Sequence, residues 1–423
     1  MTTAEGVGFG PPVTADIESE VRRVLDSRAD RVAALGPAIV EAWDRASSLL
    51  LGGKLLRPRL LMGAFDALAS AAFPESLTEA DPRAEESPRP EEGSRLEEGS
   101  RLEEGSRLEA GPGSEAGPRG PEAAIDGALA ARARALRIAA AIELLHFAFL
   151  LHDDVIDGDL MRRGRPNFIG LLLEDWRAAD GTAADPSADA ALLQAARSTA
   201  MLIGDLLLSA AQQIVFSEVR PGDAGERLIE QFDRAVTESV AGELTDVALS
   251  AGHIGADLAD VVEMSRQKTA TYSFELPLRS AAIISGLGAD VEAVLGRVGA
   301  MLGLSYQLQD DLLSTFGHPD DHGKDAYSDL REGKQTALIA IARGSAVWPL
   351  IEPHFGTGEL SESEGAKVRS LLSECGADRE VRVLIDELSD NARALVATEP
   401  AGIGPEMSVL IDDLIETLKG RRS

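Results

Sequence analysis

Two acidic clusters are the parts of this sequence most able to do chemistry. His152-Asp153-Asp154-Val155-Ile156-Asp157 closes the apolar run AAAIELLHFAFLLH. On a helix, Asp153 and Asp157 stand one turn apart and share a face, and His146 and Leu150 follow the same stripe. Carboxylates on an otherwise apolar helix are costly unless something compensates them. Mg²⁺ suits that task because it takes hard oxygen ligands and keeps some of its waters. A solvated helix end with incidental acids is the other reading of this motif alone. The second cluster, YQLQDDLLS (Tyr306 to Ser314), again follows an apolar helical run, VLGRVGAMLGLS. There Gln307, Asp310, Asp311 and Ser314 can share one broad face. Two acid pairs at the ends of two apolar helices are harder to dismiss than one.

Cations accompany both clusters. Arg162 and Arg163 follow the first; Lys324 and Lys334 follow the second, in HGKDAYSDLREGKQT. Lys54 and Arg57 lie in GGKLLRP, and Lys268 and Thr269 in QKTAT. Any one of these is more often a solvated surface charge. As a set they suit a diphosphate, which binds through Mg²⁺ bridged to carboxylates and through direct Arg and Lys contacts.

The elements that must position these groups read as helices. Of 423 residues, 44% are apolar and only 4% aromatic. Ala and Leu recur throughout, which favours helix over sheet. Residues from about Val13 to Ala72 have helical spacing, with a break at Gly52 and Gly53. Helical pattern returns at Ala123 and runs nearly to the end, interrupted at 158–166, 180–189, 220–225, 318–325 and 352–360. No segment shows convincing period-two alternation. The middle helices are apolar on most faces, as expected of a central all-α bundle.

Residues 75–122 are different. They consist of Glu, Arg, Gly, Ser and Pro with almost no large apolar side chains, and EEGSRL repeats in tandem from Glu91, Glu97 and Glu103. Such a segment cannot bury enough surface to offset its ordering entropy. It is expected to be a disordered insertion between N-terminal helices (1–74) and the remainder (123–423) of a single domain. A docking tail for a basic partner is the alternative.

The formal charge of −30 disfavours nucleic-acid binding, because the surface repels phosphate backbones. The single Cys375 cannot form an internal disulfide and reads as a small helix residue rather than a reactive thiol. The N-terminus lacks the basic and apolar regions of a signal peptide. The most apolar stretch, Ile138 to Leu151, is broken by Glu143 and His146 and is too short to span a bilayer. A soluble cytoplasmic protein with at most peripheral membrane contact is expected.

At this point the residues resemble the trans-polyprenyl diphosphate synthases. GGKLLRP, ELLHFAFLLHDDVIDGDLMRRGRP, MLIGDLLLSA, GELTD, KTA, YQLQDDLL and GKDAYSDLREGKQTAL occur in the family's order, over about residues 52 to 340. The resemblance implies an isoprenoid synthase-type bundle of ten or more helices around a deep apolar cavity, as a homodimer. It implies that Asp153, Asp154 and Asp157 hold two Mg²⁺ ions on the allylic diphosphate and that Asp310, with Asp311, holds a third. Arg162, Lys268, Thr269, Gln307 and Lys324 would contact the allylic side. Lys54, Arg57, His146 and Arg163 would grip isopentenyl diphosphate, with Lys334 a further cation and Asp246 lining the cavity. The implied reaction ionises an allylic diphosphate and lets the isopentenyl double bond attack the cation, in a dry cavity that keeps water away.

Three features depart from the family pattern. Ser314 stands where the second cluster commonly has a third Asp, Leu55 where an Arg often follows the Lys, and the acidic insertion where the connection is short. A class I terpene cyclase would replace the second cluster with an Asn/Ser-Thr/Glu triad, and a noncatalytic synthase subunit would lose acidic motifs; this chain does neither. Product length is expected to follow the residues one turn before Asp153, namely Phe149 and Ala148. One aromatic and one small residue there point to C20, geranylgeranyl diphosphate, with C15 the runner-up and longer chains third.

Overall fold

Small side chains decide how the central helices meet. In α4 (Pro121–Asp157), Ala135, Ala139, Ala140, Ala141 and Ala148 are all buried. α4 packs along α6 (Pro186–Ser217), whose buried residues include Ala196, Ala200, Ala210 and Ala211. Alanine on both partners lets two long helices run close together along most of their length. Around this pair pack α1 (Pro11–Ala33), α2 (Pro37–Leu50), α3 (Leu56–Ala72), α5 (Phe168–Asp180) and α7 (Asp223–Ser250). The computed structural model describes residues 11–72, 121–162, 164–180, 186–219, 223–255, 257–317, 327–398 and 403–420. The acidic insertion therefore lies outside the described residues, except for its last two positions, which open α4.

The helical run from Leu258 to Ile284 has three parts. These are α8 (Leu258–Ser265), a π-helical stretch (Arg266–Glu275) and α9 (Leu276–Ile284). The widened stretch carries Lys268 and Thr269, and π segments of this kind favour functional sites. Two glycines allow its neighbours to close on it. A Cβ on Gly242 of α7 would come within 2.3 Å of Lys268 N, and one on Gly303 within 2.5 Å of Ala270 Cβ. Gly303 belongs to α10 (Ala289–Phe316), the helix of the second acidic cluster.

Most apolar side chains from α1 to α10 join one core. A second core gathers the end of α10 with α11 (Ser328–Glu332), α12 (Ala337–Arg343), α14 (Glu362–Cys375) and α15 (Ala377–Thr398), through residues such as Leu308, Leu330, Leu338 and Leu372. Between α12 and α14 lies the short α13 (Trp348–Ile351), and α16 (Pro405–Lys419) returns to the first core. The bundle of more than ten helices is as expected.

Two sequence expectations need correction. A minimal hairpin, β1 (Met161–Arg162) with β2 (Arg165–Pro166), follows the first acidic cluster, where no strand was expected. Such a two-residue ladder is too short for any alternation to register. The stretch 138–151 is short, but the helix around it is not. Residues Asp126–Asp157 and Asp189–Ser217 are each long and apolar enough to cross a membrane by length and composition. In this fold they pack on each other as the central pair.

Candidate active site

α4 delivers its acids to one end of the bundle. Asp153 and Asp157 converge with Glu243 of α7, with one carboxylate oxygen from each within 4.8 Å of the others. Lys268 Nζ lies among these acids, 2.7 Å from Asp246, 2.8 Å from Glu243 and 3.3 Å from Asp153. Burial works against the lysine's charge, but Asp153, Asp246 and Glu243 outweigh it and raise its pKa. Burial likewise works against the charge on Asp153, yet Lys268, Lys334 and Arg162 hold its carboxyl below the usual range. For Asp157 and Glu243 burial wins, and both carboxyls are pushed up.

Asp154 is not among these converging carboxylates. It is buried and accepts a hydrogen bond from Arg162 at 2.6 Å, while Arg162 also reaches Asp153 at 3.4 Å. Burial pushes the Asp154 carboxyl up to about 6 despite the guanidinium. Lys334 stands 3.8 Å from Asp157, and its pKa is raised because Asp329 and Asp157 outweigh its burial. Arg163 and Lys324 lie outside the described residues.

The second cluster faces the π-helical stretch. Thr269 donates to Gln307 at 3.0 Å, and Gln307 donates to Asp311 at 2.8 Å. Asp310 is half-buried beside them, and neither it nor Asp311 joins the converging carboxylates of α4 and α7. Ser314 donates to the carboxylate of Asp329, from α11. A carboxylate therefore stands beside the position where the resemblance led one to miss an Asp, but it comes from a different helix.

Arg57 donates to Ser273 Oγ at 3.0 Å and to Tyr272 at 3.2 Å. Its guanidinium lies 4.8 Å from the centre of the Tyr272 ring. The Tyr272 hydroxyl is also 3.3 Å from His146 Nδ1. Phe149 meets the same ring edge-on at 5.1 Å, while Ala148 is fully buried. Lys54 is exposed in the turn before α3. The expected isopentenyl-side residues Arg57 and His146 are thus brought together, and Tyr272 joins them. Sequence reasoning missed Tyr272, Glu243 and Asp329. Glu243 sits three residues before Asp246 in GELTD, so helical spacing could have found it. The other two carry no local signal.

The donor set fits a hard divalent cation. It is all carboxylate, and Glu243 Oε1 and Asp246 Oδ1 are buried without a hydrogen-bond partner. Buried orphan oxygens are uncommon, and an ion they ligate is one resolution.

Comparison with known proteins agrees with this geometry. Residues 123–347, more than half of the chain, match the model of the polyprenyl synthetase family. The geranylfarnesyl diphosphate synthase of Aeropyrum pernix is 29% identical over 303 residues, covering 69% of this chain and 86% of that one. The geranylgeranyl diphosphate synthase of Saccharolobus solfataricus is 31% identical over 211 residues, covering 49% and 56%. Among solved structures, the geranylgeranyl pyrophosphate synthase of Corynebacterium glutamicum, complexed with isoprenyl diphosphate and magnesium, superposes with a TM-score of 0.74 at 23% identity, covering 97% and 99% of the chains. The polyprenyl synthase of Caulobacter crescentus has the same fold, with a TM-score of 0.64 at 23% identity over the full length of both chains. With both acidic clusters on the expected helices and the family model spanning them, this chain belongs to the polyprenyl synthetase family, the metal-dependent trans-prenyltransferases.

Proposed function

We propose that this prenyltransferase condenses isopentenyl diphosphate head-to-tail with an allylic diphosphate to make geranylgeranyl diphosphate, with three Mg²⁺ ions per site. The observation that carries the reading is the two-sided use of the π-helical stretch. Lys268 and Thr269 serve the carboxylate side, and Tyr272 and Ser273, a few residues on, serve Arg57 and His146. One element can therefore serve two anionic substrates, through residues a few positions apart.

In this reading Asp153, Asp157 and Glu243 would hold metal on one side and Asp310 on the other, and the ions would supply positive charge to the departing diphosphate. Lys268 and Arg162 contact the allylic diphosphate directly. The allylic C–O bond breaks with its electron pair going to the diphosphate, which leaves an allylic cation. Arg57, His146 and Lys54 hold isopentenyl diphosphate so that its double bond faces that cation. The new C–C bond forms, and a proton is lost from the adjacent carbon to the released diphosphate. No side-chain nucleophile takes part.

The C20 product is supported by the pair Phe149 and Ala148. The Phe149 ring packs edge-on against Tyr272, while Ala148 is small and fully buried. A homodimer is supported by apolar side chains left exposed on neighbouring helices, among them Leu202 and Leu206 on α6 and Val240 and Leu244 on α7. The experiment is incubation with Mg²⁺, isopentenyl diphosphate and a C5, C10 or C15 primer, followed by chain-length analysis. A dominant C20 product supports the reading. A C15 or C25 product refutes the length assignment, and no product at all refutes the reaction.

A further inference from the structure

Glu143 is a buried carboxyl with no part in the chemistry above. It lies on α4 one turn before His146, and only 5% of the residue is exposed. One of its oxygens, Oε2, is buried without a hydrogen-bond partner. The other, Oε1, abuts the turn that carries Lys54: a Cβ added to Gly53 would come within 3.2 Å of it. The turn is held at its far end by Leu55, which is 3% exposed and adopts φ +52°. A leucine in the left-handed region is strained, and such strain persists only where surroundings over-determine the backbone.

We propose that Glu143 is the positioning residue of the isopentenyl diphosphate subsite: its carboxyl, buried against Gly53, seats the Gly52–Lys54 turn. This rests on Lys54, Arg57 and His146 being that subsite. The alternative, that Glu143 merely fills core, fits poorly with its chemistry. A buried carboxyl with an orphan oxygen is a poor filler, and an apolar side chain of that size would serve better. The charged and titratable groups around it point the same way. Arg57 on α3 favours the carboxylate, Lys54 is carried by the abutting turn, and His146 and Tyr272 complete the subsite on the same side of α4. Burial alone pushes the carboxyl up to about 7, against the pull of Arg57. The group is thus carried at a cost that the subsite explains. Glutamine keeps its shape and its hydrogen-bonding oxygen without the charge.

The test is steady-state kinetics on wild-type protein and on E143A, E143Q and G53A, varying each substrate in turn. E143A should raise KM for isopentenyl diphosphate by about tenfold and leave KM for the allylic substrate within about twofold. E143Q should restore the isopentenyl KM to within about threefold of wild type. G53A, which presses a methyl on Oε1, should reproduce the selective rise in smaller degree. An unchanged isopentenyl KM in E143A, or equal rises for both substrates, would overturn the proposal. If E143A does not fold, G53A decides, and an unchanged isopentenyl KM there overturns it too. Absence of turnover in wild type would instead sink the proposed reaction.

Discussion

Lys268 offers the sharpest test of the site's electrostatics. Its ammonium is the central cation among Asp153, Glu243 and Asp246. Replacing it with Met keeps most of the volume and removes the charge. The lysine side chain is 19% exposed and its partners 28%, 20% and 9%, so the carboxylates left behind are only partly solvated. Breaking a buried ion pair costs about 3–5 kcal/mol, and the residual exposure puts this case at the low end, about 3 kcal/mol. In a chain of this size that is a melting-temperature drop of roughly 5 °C. Mg²⁺ should then reverse much of the loss. A ligand at a hundredfold over its Kd stabilises by about 2.7 kcal/mol, and the cluster without its ammonium should bind the cation more tightly than wild type. Calorimetric melts of both proteins, in EDTA and in saturating Mg²⁺, measure the difference. K268M should lose stability in EDTA and gain more than wild type from Mg²⁺, while kcat falls if Lys268 contacts the diphosphate as proposed. Equal Mg²⁺-induced shifts in the two proteins would show that Lys268 and the metal do not share these carboxylates.

Asp153→Ala or Asp310→Ala should lower kcat by roughly a thousandfold with the helical circular dichroism unchanged, since each would remove a proposed metal ligand; near-normal turnover that also survives excess EDTA would overturn the mechanism. Phe149→Ala should lengthen the product distribution on chromatography, and an unchanged distribution would place the limit on another helix. Deleting about residues 80–120 with a short Gly/Ser joint should preserve turnover, because the segment has no core-forming pattern and added loop length costs little; an inactive but folded variant would reveal a function for the repeat. Glu143 also gives a pH signature. Its carboxyl sits near 7 when folded, raised from 4.5. Between those values the unfolded chain has lost the proton and the folded one has kept it, so stability falls as pH rises from about 4.5 to 7 and then levels off. The cost is about 3 kcal/mol at the upper end. In EDTA, E143Q should therefore gain stability relative to wild type as pH rises through that window, and parallel stability curves would contradict it.

Much of the site was legible in local sequence because helical period alone decides which residues share a face. The stripe from His146 through Asp153 to Asp157 needed only the 3.6-residue repeat of α4. The all-α bundle and the break at Gly52 and Gly53 needed only composition and spacing. Tertiary structure alone decided which acid meets which cation. Lys268 finds Asp246, 22 positions away, and Thr269 finds Gln307, 38 positions away. Both pairings depend on how α7 and α10 are rotated and how closely Gly242 and Gly303 let them approach the π-helical stretch. The widening of that helix over Arg266–Glu275 left no mark in the sequence either. Tyr272 owes its place under Arg57 to that widening and to α3 crossing above it, and Asp329 reaches Ser314 only because α11 folds back along α10. Periodicity says which residues face the same way along one helix; which faces come to confront each other is set by packing of distant segments, and no local pattern encodes that.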